Sequence, residues 1–338
     1  MGNMLHLFWV FILAGNAFCS FLPFDSLNSV WRAWKVQHKK FYTLEEETFR
    51  LSVFTENYRK IRQFNSENEN IQLGLNKFAD LSAEEFRNQH SNCAFSNSSL
   101  SRNSSKHQKF TPSSKGALAT SIDWREEGAV TEVKDQGKCG ACWAFSATGA
   151  IEGLYYTINE QLVSFSEQQI IDCDPGPNDQ GCYGGWPQYA IEYAANRGLE
   201  TDDDYPYIGQ AGTCQFNQNS AKYVVDVVNT VQQNSSHALK EAITQSPVSV
   251  LVEADERIFQ FYKSGVVYSH CRSLVNHAAL VVGYKRIGLL EAFIVKNSWG
   301  SDWGDQGYIY ISTDGRVNDG LGVCGILYSP LLAAMSGP

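Results

Sequence analysis

The chain has no internal repeat, no cluster of metal-ligating residues and no phosphate-cradling glycine loop. Past its first residues it has no apolar run long enough to cross a bilayer. These absences remove solenoids, metalloenzymes, nucleotide-binding proteins and spanning membrane proteins from consideration, and no cofactor is expected. Positive charge is also short, with 27 Lys+Arg against 36 Asp+Glu and a formal net charge of −9. The shortage is uneven. Residues 1–117 hold 14 Lys+Arg and 10 Asp+Glu, whereas residues 118–338 hold 13 and 26. An acidic body argues against a nucleic-acid partner. A basic leading part is its electrostatic complement.

At 338 residues, 43% of them hydrophobic, the chain can bury a sizeable core and hold more than one domain. Met4 to Ala14 is one apolar run of the length of a signal-peptide core, too short to span a bilayer. Ala17-Phe-Cys19 follows as a candidate cleavage site, although no Lys or Arg precedes the run as in the usual signal. Entry to the secretory pathway permits disulfides. Asn97, Asn103 and Asn234 stand in Asn-x-Ser sequons and are candidate glycan sites.

Two helical patterns lead the chain. Trp31, Trp34 and His38 share one face, and Glu46, Arg50, Phe54, Asn57, Ile61 and Asn65 form a continuous stripe at spacings of three and four. Glu46 and Arg50 are placed to pair. Ile71 to Asp80 begins with the alternation of a short strand, and Ser82 to Glu85 is a capping box opening a further helix. Ser91 to Lys115 is polar and reads as an exposed linker. After it the first hundred or so residues are mainly helical in pattern. From Tyr223 β-type runs dominate, at Tyr223 to Val231, Val248 to Val252, Ala278 to Tyr284, Ala292 to Val295 and Tyr308 to Ile311. A helical half followed by a β half suggests two subdomains meeting at a cleft.

The stretch Gln136-Gly-Lys-Cys-Gly-Ala-Cys-Trp-Ala-Phe-Ser146 stands out. A glycine-punctuated loop runs into an apolar helix, Trp143 to Tyr156, so Cys142 falls at or just before the first helical turn. Free amides and the macrodipole there favour a thiolate, the form that attacks. The string fits the Cys-Gly-[Ser/Ala]-Cys-[Trp/Tyr] signature of the papain and cathepsin nucleophile. The chain thus resembles a papain-family cysteine protease. The stripe Glu46 to Asn65, and Gly74, Asn76, Phe78 and Asp80 after it, resemble the two propeptide motifs of the cathepsin L-like group.

The resemblance implies an α+β papain-like fold, with a helical left half, a β-barrel-like right half and a helical prodomain. It divides the chain into a signal peptide at 1–19, an inhibitory propeptide at 20–117 and a peptidase domain at 118–338. Seven cysteines lie in residues 118–338, which is three disulfides and one free thiol. The implied pairs are Cys139–Cys182, Cys173–Cys214 and Cys271–Cys324, leaving Cys142 free. Cys93 has no implied partner.

A thiolate needs a base and proton donor near neutrality. Of the histidines after residue 118, His237, His270 and His277, the last opens a buried strand 135 residues after Cys142, and its neighbours match the family pattern. Asn297 would orient the ring and Trp299 would shield that bond from water. Gln136, six residues before Cys142, matches the oxyanion position. Gly184 and Gly185 match the strand along which an extended substrate lies, where bare backbone allows close approach. Trp186, Pro187, Leu251, Val275, Ala278 and Ser329 align around the pocket for the second residue before the scissile bond. Two residues are inserted between Cys173 and Cys182 relative to papain, which is expected only to lengthen a surface loop.

The implied protein is a cathepsin L-like cysteine endopeptidase made as a zymogen and activated at acidic pH. Its location would be the secretory pathway, in a lysosome or vacuole or outside the cell. Its partners would be protein and peptide substrates, its own propeptide and cystatin-type inhibitors, and it would be a monomer. A catalytically dead relative would lack Cys142, His277 or Asn297, and all three are present. An exopeptidase is disfavoured because the family's blocking elements are missing.

Overall fold

The computed structural model describes residues 24–91, 105–111, 118–174, 179–254 and 257–336. Residues 1–19, Cys93, Asn97 and Asn103 lie outside them. The first compact unit, Met1–Phe41, holds helix α1 (Phe24–Gln37). On α1 Trp31 stacks on Trp34 with ring centroids 5.2 Å apart, and Lys35 lies over the Trp31 ring.

The second unit, Tyr42–Pro338, opens with α2 (Leu44–Glu67). Thr43 caps it by accepting the Glu46 N–H, and Glu45, Glu46 and Glu47 suit the positive end of the helix. The polar residues of its stripe each take a partner. Arg50 bonds Glu46 and, at 2.8 Å, Glu85. The Asn57 amide donates to the carbonyls of Ala79 and Leu81, and Asn65 exchanges two hydrogen bonds with Leu73. These bonds fold β1 (Ile71–Leu73) and α3 (Ala83–His90) back onto α2. The capping box at Ser82 and Glu85 is formed in both directions.

After β2 (His107–Lys109) and β3 (Ile122–Asp123) comes a helical half, α4 (Cys142–Asn159), α5 (Glu167–Cys173) and α6 (Pro187–Arg197). From Cys142 to Leu154 every residue of α4 is buried, so it is a central helix rather than an amphipathic one. The β-rich half follows as β4 (Val227–Thr230), α7 (Ser236–Ile243), β5 (Val248–Val252), α8 (Arg257–Phe261), β6 (Tyr262–Val267), β7 (His277–Ile287), β8 (Leu290–Lys296), β9 (Tyr308–Ser312) and β10 (Leu331–Ala334). Among the described residues one ten-stranded sheet runs β1-β6-β9-β8-β7-β5-β10-β4-β2, with β3 paired to β7. Its two terminal strands, β1 and β2, both come from before residue 118. β1 pairs antiparallel with β6. There Gly265 (φ 93°) lies so close to Asn70 that a Cβ would stand 2.0 Å from its carbonyl oxygen. β2 pairs parallel with β4.

The disulfides Cys139–Cys182, Cys173–Cys214 and Cys271–Cys324 are formed. Asn234 is exposed in a turn just before α7. None of the described helices is long and apolar enough to cross a membrane.

Candidate active site

The loop Asp135 to Ala141 is pinned at both ends. Gln136 N–H donates to the Ser298 carbonyl, and Gly140 N–H donates to the Cys182 carbonyl. Cys142 is the first residue of α4 and is fully buried. Across from it, β7 begins at His277, and the Ala278 N–H donates to Cys142 Sγ at 3.3 Å. His277 Nε2 meets Asn297 Oδ1 at 2.8 Å, and Asn297 sits just past the end of β8. The same oxygen accepts the Ser298 N–H. His277 Nδ1 is buried and carries no hydrogen bond among the described residues. One ring nitrogen is therefore fixed by the amide, and the other is left for proton exchange. The Trp299 ring lies 4.7 Å from the imidazole, centroid to centroid, and Trp299 is fully buried.

Gln136 is buried, with its side-chain oxygen accepting from Ser298 Oγ at 2.6 Å and its amide donating to the Cys139 carbonyl at 2.9 Å. Ser298, which sets the orientation of Gln136, carries no signal beyond its place between Asn297 and Trp299. Gly184 and Gly185 follow the short turn Gly181–Tyr183. A Cβ on Gly185 would come within 2.6 Å of both Trp143 and Asp179, so bare backbone is required. Trp186, Leu251 and Ala278 belong to one buried cluster, with Val275 half-buried against it. Pro187 opens α6, and Ser329 is buried just before β10. Leu251 and Ala278 are register partners on β5 and β7.

The six cysteines after residue 118 other than Cys142 bond one another. One expectation is corrected, that of the Cys173–Cys182 loop. It does not merely lengthen the surface, since it ends in a buried carboxyl, Asp179, which accepts the Trp186 N–H at 2.7 Å.

The leading segment closes over this site. The Asn76 amide donates to the Gln260 carbonyl, and the Gln260 amide donates to the Leu81 carbonyl. Lys77 bridges Asp135 at 2.5 Å and Asp302 at 3.3 Å. Phe78, Phe86 and His90 pack their rings against Trp299. Burial pushes the His277 imidazole down to about 4, against the hydrogen bond that the ring donates to Asn297. Behind the site, Lys134 pairs with Glu152 and Glu167, and Lys296 donates to Thr131. Burial holds Lys296 down to about 8. Sequence reading missed this network because each member, taken alone, looks like a surface charge.

Residues 118–333 match the papain family cysteine protease domain, and residues 31–86 match the cathepsin propeptide inhibitor domain. The chain belongs to the papain family of cysteine proteases. It is 39% identical to digestive cysteine proteinase 2 of Homarus americanus, over 86% of this chain and 91% of that protein. It is 36% identical to KDEL-tailed cysteine endopeptidase CEP2 of Arabidopsis thaliana, over 93% and 88%. Among solved structures, the recombinant stem bromelain precursor superposes with a TM-score of 0.83 at 33% identity, covering 93% of this chain and all of that one.

Proposed function

We propose that the protein is the zymogen of a cysteine endopeptidase with Cys142, His277 and Asn297 as its catalytic residues. The observation that carries the reading is the convergence on Cys142 Sγ and His277 of the Ala278 N–H and Asn297 Oδ1. The Cys142 thiolate attacks the scissile carbonyl and the His277 imidazolium protonates the leaving amine. Water then hydrolyses the thioester with His277 as base. The Cys142 N–H and the second amide hydrogen of Gln136 face the oxyanion. Gly184 and Gly185 carry the substrate backbone.

Residues 20–117 act as an intramolecular inhibitor and residues 118–338 as the enzyme, with conversion at acidic pH. The name of one relative supports endopeptidase action. The apolar start and the disulfides support passage through the secretory pathway, and exposed Asn234 suits a glycan. A monomer subject to cystatin-type inhibitors completes the reading. The test is titration with the thiol-directed epoxide E-64 after acid conversion in reductant. One equivalent should be consumed, all of it on Cys142, with complete loss of peptidase activity. Consumption at another cysteine, or activity that survives full labelling, would refute the assignment.

Substrate choice follows from the pocket. Trp186, Pro187, Leu251, Val275 and Ala278 are apolar and Ser329 is uncharged, so an Arg side chain would be desolvated without a partner. A Leu side chain gains about 1.5–3 kcal/mol if fully buried. In a peptide series differing only at the second residue before the cleaved bond, kcat/KM near pH 5.5 is expected to be at least tenfold higher for Leu than for Arg. An Arg peptide as good as the Leu peptide would overturn this pocket.

A further inference from the structure

We propose that Tyr207 is a positioning residue for the oxyanion donor, its hydroxyl locking the peptide between Gln136 and Gly137. This rests on the reading that the Gln136 amide faces the oxyanion. Gly137 has φ 61°, and a Cβ placed there would meet nothing within 4 Å. Glycine in open space takes either sign of φ at little cost. The peptide before it can therefore turn over, and the Gln136 side chain would swing with it, unless both ends of that peptide are held. Tyr207 Oη donates to the Gln136 carbonyl at 2.8 Å, and the Gly137 N–H donates to Asp135 Oδ1 at 2.9 Å.

The two bonds are not equal. Asp135 is exposed and belongs to the loop itself, so it moves with the peptide it holds. Its other oxygen faces Lys77, which leaves with the prosegment under the proposed conversion. The carbonyl's other donor, the Cys139 N–H, is distant at 3.4 Å. Tyr207 comes from 71 residues further on and is anchored outside the loop. Its ring meets Phe145, on the first turn of α4, edge-on at 5.0 Å between centroids. Beside it, the Ile208 N–H donates to Gln168 Oε1 and the Tyr205 hydroxyl to Asp172, both on α5. Burial first, then the Glu167 and Asp135 charges, holds the Tyr207 phenol well above its usual range, so it stays a donor.

Ser298 holds Gln136 from the β-rich half, accepting its N–H and donating Oγ to its side chain. Gln136 is thus strung between the two halves, with Tyr207 as the tie to the helical one. Tyr207→Phe keeps the ring against Phe145 and removes only the hydroxyl.

The experiment uses the converted enzyme with the Leu peptide near pH 5.5. For Tyr207→Phe, kcat is expected to fall about tenfold with KM within about twofold of the parent. For Gln136→Ala, kcat should fall on the order of 10²-fold. Adding Tyr207→Phe to Gln136→Ala should cost less than about twofold more, because the group that Tyr207 aims is already gone. Alkylation of Cys142 by iodoacetamide forms no oxyanion, so its rate in Tyr207→Phe should stay within about twofold of the parent, whereas general damage to the site would slow it with kcat. Amide hydrogen exchange across residues 137–139 of the full chain, which needs no activity, should quicken at least about tenfold in Tyr207→Phe. An unchanged kcat in Tyr207→Phe would overturn the proposal, as would the same tenfold loss in the Gln136→Ala background, an alkylation rate that falls with kcat, or unchanged exchange. A parent-like Gln136→Ala would strike the oxyanion reading and this proposal together. Failure of the E-64 titration would instead strike the peptidase reading and leave the exchange result to decide the lock.

Discussion

His277→Ala is expected to lower kcat/KM on the order of 10⁵–10⁶-fold, the scale seen when a nucleophile loses its base. In the proposed mechanism the ring withdraws the Cys142 proton, and its Nδ1 carries no hydrogen bond among the described residues. Without it the thiol stays largely protonated at the acidic pH of the assay and the leaving amine lacks a proton donor. Asn297→Ala should cost far less, about 10²-fold, because the base remains and only its orientation is loosened. The measurement is kcat/KM of converted enzyme, with thermal unfolding of each zymogen as the control for folding. Retention of more than about 1% of activity by His277→Ala, or a larger loss in Asn297→Ala, would remove His277 from the mechanism.

Conversion of the zymogen should depend on His90 by about 10²-fold near pH 4.5. His90 ends α3, buried between Phe78 at 4.5 Å and Phe86 at 5.7 Å, centroid to centroid, and it faces Trp299. Burial first, then the Lys77 charge, pushes it from 6.5 down to about 4. Asp135 and the Gly137 backbone pull the other way and Lys138 adds to the fall, while His90 itself disfavours charge on the His277 ring. Above pH 6.5 docked and released forms are both neutral and docking is at full strength. As pH falls towards 4 the released form takes the proton far more readily than the docked one, so docking weakens on the order of 10²-fold. His90→Phe keeps a ring in the cluster and removes the titration. Its conversion half-time, read by gel and by peptidase activity in reductant, should match the parent at pH 7 and be far longer at pH 4.5. Equal half-times at pH 4.5 would show that the release is driven elsewhere.

What could be foreseen follows from how local each signal is. The α2 stripe, the capping box at Ser82 and the start of α4 at Cys142 are set by spacing and by a glycine loop, and they stand where those features put them. The strand opening at His277 was legible because eight buried residues follow one another there. β2 was not, since His-Gln-Lys has no apolar face and becomes a strand only by borrowing the edge of β4. β6, with Lys263, Ser264 and Gly265 at its centre, was hidden for the same reason, and β10 is apolar but only four residues long. The carboxyl of Asp179 reads as a loop charge, and nothing in its neighbours announces that it is buried.

The two rims of the sheet hold a consequence for how the protein is made. Both outermost strands belong to the leading part that the proposed conversion would cut away, one lying against β6 and the other against β4. Such a conversion would strip two edges at once and leave two rows of backbone amides and carbonyls without a neighbour. Bare edges are templates for pairing with other chains. Lys263 on β6 and the brevity of β4 blunt them in the finished enzyme, but a body synthesised from residue 118 onward would have to fold with both rims open from the start. On the proposed reading the leading segment would serve as a mould as well as a plug, and refolding yield at high protein concentration is where its loss would first be felt.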